Sequence, residues 1–266
     1  MSQNNIGISR TNKTQYLLHL VALGAVLYVN YLSNALPLNG HTPGELSDRY
    51  PNFFVPAGLT FSIWGIIYLG LLVWVGLQVV ALFRNKPMPG VSKAGWWFLA
   101  SCVFNIGWLF AWHWEQLLLS VGVMMALLFS LVRLNLAIDN GVSAESPLEK
   151  WTAHVVFGLY QGWITVALIA NVTALLVGLG WKGGILPEPD WAILMIEVGA
   201  AIAFYMVWRF NHLFHGVAVM WACWGIYLKR TAAADSDSTF VAWAAVAAIL
   251  LVAGAVVLRA KKWWSY

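Results

Sequence analysis

The sequence predicts an all-α, polytopic membrane protein: a transmembrane helical bundle of eight spans. Three observations carry that reading. The 266 residues are 61% hydrophobic and 10% charged, against roughly 45–50% and about 25% in a soluble domain. That apolar surplus exceeds what a soluble core of this size can hide. The apolar residues fall into eight stretches close to the ~20 residues a bilayer demands, and all but one of the connections are short and polar. The same arithmetic excludes secreted, nucleic-acid-binding and disordered classes, since a formal charge of +4 needs no more than basic flanks on membrane helices.

The stretches are 16–36, 55–83, 94–112, 117–138, 151–179, 191–208, 212–228 and 240–258. The first follows a tail with Arg10 and Lys13. Ser33-Asn34-Ala35 near its end allows a signal-peptide reading, but the run is long enough to span, so it is taken as a helix. Residues 37–54 form the long connection. Pro37, Asn39-Gly40, Pro43-Gly44 and Pro51 are turn signals, which predict an ordered loop able to act as a lid. The fifth stretch carries Gly158 and Gly162, a GxxxG step that lets another helix approach closely. Only Arg209-Phe210-Asn211 separates the sixth from the seventh. Cys102 and Cys223 both fall inside apolar stretches and read as small buried hydrophobes.

Charge sets the expected orientation. With the N-terminus inside, eleven of the 15 Lys and Arg residues fall on inner segments: Arg10, Lys13, Arg84, Lys86, Lys93, Arg133, Lys150, Arg209, Arg259, Lys261 and Lys262. Arg49, Lys182, Lys229 and Arg230 fall on outer ones. Both termini are therefore expected in the cytoplasm, with the chain in a bacterial inner membrane.

Depth follows from ~1.5 Å per helical residue. Trp64 lies ~14 Å below the outer surface and Trp163 ~12 Å below it. Trp108 is about five residues from the outer end of its stretch, and Asn105 one turn deeper. Three of the 17 tryptophans thus share the outer half of the membrane, deeper than a headgroup belt requires. Phe61, Trp64 and Tyr68 recur at helical spacing and share a face; Tyr68 and Tyr160 lie a turn further in. The arrangement reads either as an aromatic pocket with Asn105 as its hydrogen-bonding point, or as bulky side chains filling gaps between tilted helices. Elsewhere, Glu197 is an intramembrane carboxylate and a functional candidate by default. His212 and His215 stand three apart at the cytoplasmic end, with no further ligand to complete a metal site. His113 is a loop-end residue facing the outer side, where a pocket mouth would lie. Neither a nucleotide-binding glycine loop nor a catalytic triad is present in the sequence.

Three ordered stretches resemble the tryptophan-rich sensory protein family, TspO/MBR, which includes the translocator proteins. Pro56-Ala-Gly-Leu-Thr-Phe61-Ser-Ile-Trp64-Gly-Ile-Ile-Tyr68 is similar to the family's proline-rich helix start with an aromatic, then Trp and Tyr four apart. Phe104-Asn105-Ile-Gly-Trp108-Leu-Phe110 is similar to its Asn-x-x-Trp followed by aromatics. Tyr160-Gln-Gly-Trp163, with Asn171 eight residues later, is similar to its Pro-Tyr-x-x-Trp and downstream Asn. The chain departs from the pattern at Ala57, Leu59 and Leu159, where the family has Pro, Trp and Pro. The resemblance covers the first five stretches and leaves the last three unexplained.

The resemblance implies a five-helix core over 16–179, preceded by a cytoplasmic tail at 1–15 and followed by three additional helices at 180–266. It implies a receptor or sensor for a planar apolar ligand such as a porphyrin, haem-like tetrapyrrole or sterol-like lipid. Phe61, Trp64, Tyr68, Asn105, Trp108, Tyr160, Trp163 and Asn171 would form its site, and the first loop its cover. A porphyrin or haem is the implied ligand, not a resident cofactor, and no metal site is expected. Enzyme activity enters only as the tryptophan-dependent porphyrin photodegradation proposed for some family members. The expected partners are the lipid bilayer and the planar small molecule; a homodimer is left open and nucleic acid is excluded. A structural or accessory subunit without a ligand, and a small-molecule or lipid transporter gated by the outer loop, are the alternatives.

Overall fold

The computed structural model describes residues 10–86, 88–139, 147–233 and 235–263. The first nine residues, most of the expected N-terminal tail, lie outside the described residues, as do the side chains of Arg10, Lys93, Lys150, Lys261 and Lys262. All regular structure among the described residues is helical. The α-helices are α1 (Arg10–Ala35), α2 (Pro43–Asp48), α3 (Ile63–Arg84), α4 (Pro89–His113), α5 (Leu117–Asp139), α6 (Pro147–Gly178), α7 (Glu188–Phe210), α8 (Leu213–Thr231) and α9 (Ser236–Trp263). Two 3-10 turns, Leu38–Gly40 and Gly58–Ser62, flank the lid helix α2.

The helix limits have local causes. Asn85 ends α3 and Asn211 ends α7, both in the left-handed conformation at φ 51° and 60°, the region asparagine tolerates best after glycine. Pro89 opens α4 without forfeiting a bond, because a first-turn N–H has no partner within the helix. Thr42 caps α2 in a reciprocal box: its hydroxyl accepts from the Glu45 N–H and the Glu45 carboxylate accepts from the Thr42 N–H.

Five helices close a ring in which neighbours touch in the order α1, α3, α6, α5, α4 and back to α1. Outside it, α8 packs on α6, while α9 packs on α7 and α8. The polarity is that of a bundle in lipid. Leu17, Val21, Ile66, Leu69 and Leu118 are exposed, while Gln78, Asn105, Ser120, Asn135 and Gln161 are buried. Buried polar groups pair between helices, as Asn135 Nδ2 does with Gln161 Oε1 at 2.6 Å, because hydrocarbon offers them no other partner.

All eight expected stretches appear as long helices, but length and apolarity sufficient for crossing hold for seven of them. The eighth is α8, 19 residues long and therefore ~28 Å. It nevertheless runs from end to end of the bundle. His212, which precedes it, bonds Asp139 at the end of α5 at 2.8 Å, and Lys229, in its last turn, reaches Asp48 on the lid at 2.7 Å. Neighbours cover it on three sides, so it needs no continuous apolar surface. The second stretch is also shorter than expected, because residues 58–62 form a 3-10 turn and the α-helix starts at Ile63. Both cysteines are buried and free.

Candidate ligand pocket

At the lid end of the ring, α1, α3, α4 and the lid border a half-open cavity of about 830 Å3. Its aromatic wall comes from Phe61, Trp64, Tyr68 and Trp108. Trp64 stacks on Tyr68 with centroids 5.3 Å apart and planes 17° apart, as residues one helical turn apart can. Two further rings meet Trp64 edge-on: Tyr160 at 5.6 Å and Trp163 at 6.3 Å. Phe61 meets Trp163 at 5.8 Å. A smaller recess of about 50 Å3 continues between α3, α4 and α6, sharing Phe61, Trp64 and Trp108 and adding Trp112, Trp163 and Asn171.

Two hydrogen-bond chains hold these walls. In the first, the Tyr68 hydroxyl donates to Asn30 Oδ1 at 2.5 Å, Asn30 Nδ2 donates to Asn105 Oδ1 at 2.9 Å, and Asn105 Nδ2 donates to the Tyr160 hydroxyl at 3.0 Å. It ties α3, α1, α4 and α6. In the second, Trp108 Nε1 donates to Asn171 Oδ1 at 3.1 Å, and Asn171 Nδ2 donates to Ser120 Oγ at 2.8 Å. It ties α4, α6 and α5.

The structure thus brings the eight sequence-derived residues to one end of the ring, in two layers. Phe61, Trp64, Tyr68, Trp108, Trp163 and Asn171 line the open space. Asn105 and Tyr160 stand behind it, fully or almost fully buried, and both amide atoms of Asn105 are already bonded. Trp163 is also buried, yet its indole Nε1 has no hydrogen-bond partner.

Asn30, Asn34, Thr42 and Glu45 also line the cavity and were not singled out from the sequence. The Thr42-x-x-Glu45 spacing is the available signal for the last two. His113, expected at a mouth, is instead fully buried, its Nδ1 against the Leu109 carbonyl at 2.7 Å and its own carbonyl accepting from Asn39 Nδ2. Glu197 is exposed on α7 and lines neither space. His212 and His215 turn to different partners, Asp139 and Thr165.

The lid is clasped from three sides. Glu115, in the α4–α5 turn, accepts from Arg49 at 2.7 Å and from the Tyr50 hydroxyl at 2.6 Å. Lys229 holds Asp48, and Trp112 Nε1 donates to the Pro43 carbonyl at 3.3 Å. Burial together with the Glu115 carboxylate pushes the Tyr50 phenol up to about 12. From α8, Trp221 Nε1 donates to the Thr60 carbonyl at 2.8 Å, and the Gly225 carbonyl accepts from the Ala57 N–H at 2.9 Å. The C-terminal helices therefore support the turn that presents Phe61 and Trp64.

Comparison with protein families matches residues 16–258 to the TSPO-like protein family. The chain belongs to that family. In this TSPO-like protein the match reaches beyond the motif-bearing first five stretches and takes in α7, α8 and most of α9. With seven helices apolar and long enough to cross a bilayer, it is an integral membrane protein in contact with lipid. Comparisons with curated proteins and with solved structures find no match.

Proposed function

We propose that this TSPO-like protein is a membrane receptor or sensor that takes a planar apolar ligand, such as a porphyrin or haem-like tetrapyrrole, into the aromatic cavity beneath the lid. One observation carries the reading. A cavity of about 830 Å3 is walled by the stacked Trp64–Tyr68 pair together with Phe61 and Trp108. Flat faces held at fixed angles suit a flat ligand, and each well-placed ring contact contributes ~0.5–1.5 kcal/mol beyond its buried area. Three or four such contacts plus ring burial support micromolar affinity, roughly −8 kcal/mol. The two hydrogen-bond chains fix the walls before binding, so little ordering cost falls on the ligand. Phe61, Trp64, Tyr68 and Trp108 are assigned to contact, and Asn105 and Tyr160 to positioning. The basic residues of the alternate connections support an orientation with both termini in the cytoplasm and the lid outside.

Titration of the purified protein in non-ionic detergent with protoporphyrin tests this, followed by absorbance and tryptophan quenching beside a Trp64→Phe, Trp163→Phe variant. Saturable binding that weakens in the variant, with thermal stability retained, is the expected result. Absence of saturable binding, or binding indifferent to both tryptophans, would leave the aromatic end a packing feature.

A further inference from the structure

The cavity has a polarity along its length that a purely apolar description misses. Its mouth is lined by Thr42, Gly44, Glu45 and Asp48 from the lid, and among the described residues no lysine, arginine or histidine lines it. The nearby cations are already paired or stand outside the wall. Arg49 pairs with Glu115 at 2.7 Å, and Lys229 pairs with the lining Asp48 at 2.7 Å, which offsets that carboxylate and leaves Glu45 as the lining acid without an ion-pair partner among the described residues. His41 acts on Glu45 from the same loop without lining the space. Glu45 gives Oε2 to the Thr42 N–H at 2.7 Å. A main-chain amide carries no net charge to cancel, so that bond leaves the carboxylate negative.

The inner end differs in kind. Trp163 is 3% exposed, lines the recess and has an indole N–H without an acceptor. A buried donor left unpaired is costly, and it belongs to a side chain in the wall of a recess of about 50 Å3, so a ligand that widens that recess can bring an acceptor to it. Between the two ends lie the faces of Trp64 and Trp108, which line both spaces. Aromatic faces attract cations and offer nothing to carboxylates.

We infer that the cavity selects a planar aromatic ligand carrying a cationic, amine-type group at the lid end and a hydrogen-bond acceptor at the Trp163 end, in preference to a ligand bearing carboxylates. This rests on the proposed pocket and specifies its chemistry. A cation at the mouth meets Glu45 and the aromatic rims, whereas a carboxylate there meets Glu45 with no cation in the wall to offset it. Because the mouth is partly solvated, the effect is screened. It sets an order of preference without making binding all-or-none.

The test uses one ring with three charges: protoporphyrin IX as the dicarboxylate, its dimethyl ester, and its bis(dimethylaminopropyl)amide, which is dicationic at pH 7. Each is titrated into the full-length protein in non-ionic detergent at moderate salt. The expected order of affinity is dication, then ester, then dicarboxylate, with about tenfold between the extremes, a size in keeping with partly screened charges. Glu45→Gln keeps a side-chain acceptor for the capping box while removing the charge, so the lid should stay closed and the spread should shrink several-fold. A dicarboxylate that binds as tightly as the dication, or a spread untouched by Glu45→Gln, overturns the inference. The neutral ester separates the two readings. If it binds in a Trp64-dependent manner while charge has no effect, the pocket stands and the charge preference falls. If no probe binds saturably, the pocket itself falls, and this inference with it.

Discussion

Asn30 on α1 and Asn105 on α4 meet side chain to side chain at 2.9 Å, and each passes the contact on, to Tyr68 and to Tyr160. A single row of four polar side chains thereby locks four helices behind the aromatic wall. The row works because neither amide has a spare group. Asn105 accepts from Asn30 and donates to Tyr160, so removing it orphans atoms on both sides.

Asn105→Leu is therefore expected to cost about 1–2 kcal/mol, the upper part of the range for interhelical polar contacts in lipid. Tyr160→Phe should cost less, since it leaves the Asn105 Nδ2 donor without its acceptor but spares the Asn30–Asn105 bond. The double variant should cost clearly less than the sum, because Tyr160→Phe deletes the hydroxyl that Asn105→Leu leaves unpaired. Thermal unfolding in detergent across the four-member cycle checks this. Strict additivity would show that the row carries no coupling.

A second prediction concerns how the C-terminal helices are seated. A Cβ at Gly162 would lie 2.5 Å from the His215 carbonyl oxygen and 2.9 Å from Ala218 Cβ. Those are backbone and near-backbone atoms of α8, which cannot swing aside. Gly162→Ala should destabilise by about 2–3 kcal/mol through overpacking and shift α8. Gly76→Ala on α3, with nothing within 4 Å of the added carbon, should instead gain about 0.5–1 kcal/mol from helix propensity. The same melting assay compares the two. Equal effects would mean the α6–α8 approach is not close.

These contacts show what could be read from the chain and what could not. Composition and stretch length are sums over many residues, so the membrane class and the helices were legible. Phe61, Trp64 and Tyr68 were legible as one face because helical spacing is local. Asn30 was not, for it is one polar residue in an apolar run, and its role appears only when α4 and α3 bring Asn105 and Tyr68 to it. The GxxxG step announced a close neighbour without naming α8, whose residues begin 51 positions after Gly162. His113 misled for the opposite reason: a position at a helix end reads as exposed, yet Asn39 and the 3-10 turn after α1 fold over it.

The two cavity tryptophans should separate binding from stability. Trp163→Phe removes an unpaired N–H together with part of a buried ring, two changes of opposite sign, so the ligand-free protein should melt within a few degrees of the parent. Its affinity for an acceptor-bearing ring should nevertheless fall. Trp64→Phe shortens the face that stacks on Tyr68 and should lose about 0.5–1.5 kcal/mol of ring contact, roughly two- to tenfold in Kd. Paired titrations and melts decide the matter. A Trp163→Phe variant that loses stability and keeps affinity would make that indole a packing group.

The lid should respond to pH at both extremes, in opposite senses for the two groups that hold it. Tyr50 donates to Glu115, and its phenol is pushed up to about 12 from an ordinary value near 10. The neutral phenol is therefore favoured when the lid is closed. Its contribution is complete below pH ~10 and is lost as pH rises from there through about 12. Glu45 shifts the other way, because the Thr42 N–H bond holds its carboxyl below the usual range. Its contribution is present above the ordinary carboxylate value and disappears as pH falls through the lowered one. A nitroxide at Pro51→Cys, a surface position beside the clasp, should report an immobile lid across neutral pH, a mobile one toward the alkaline end and only a slight loosening toward the acid end, where neutral Glu45 still offers an acceptor to the α2 capping box. Tyr50→Phe should mobilise the label at neutral pH and remove the alkaline step while keeping the acid one. An alkaline step that survives in Tyr50→Phe would assign the clasp to some other group.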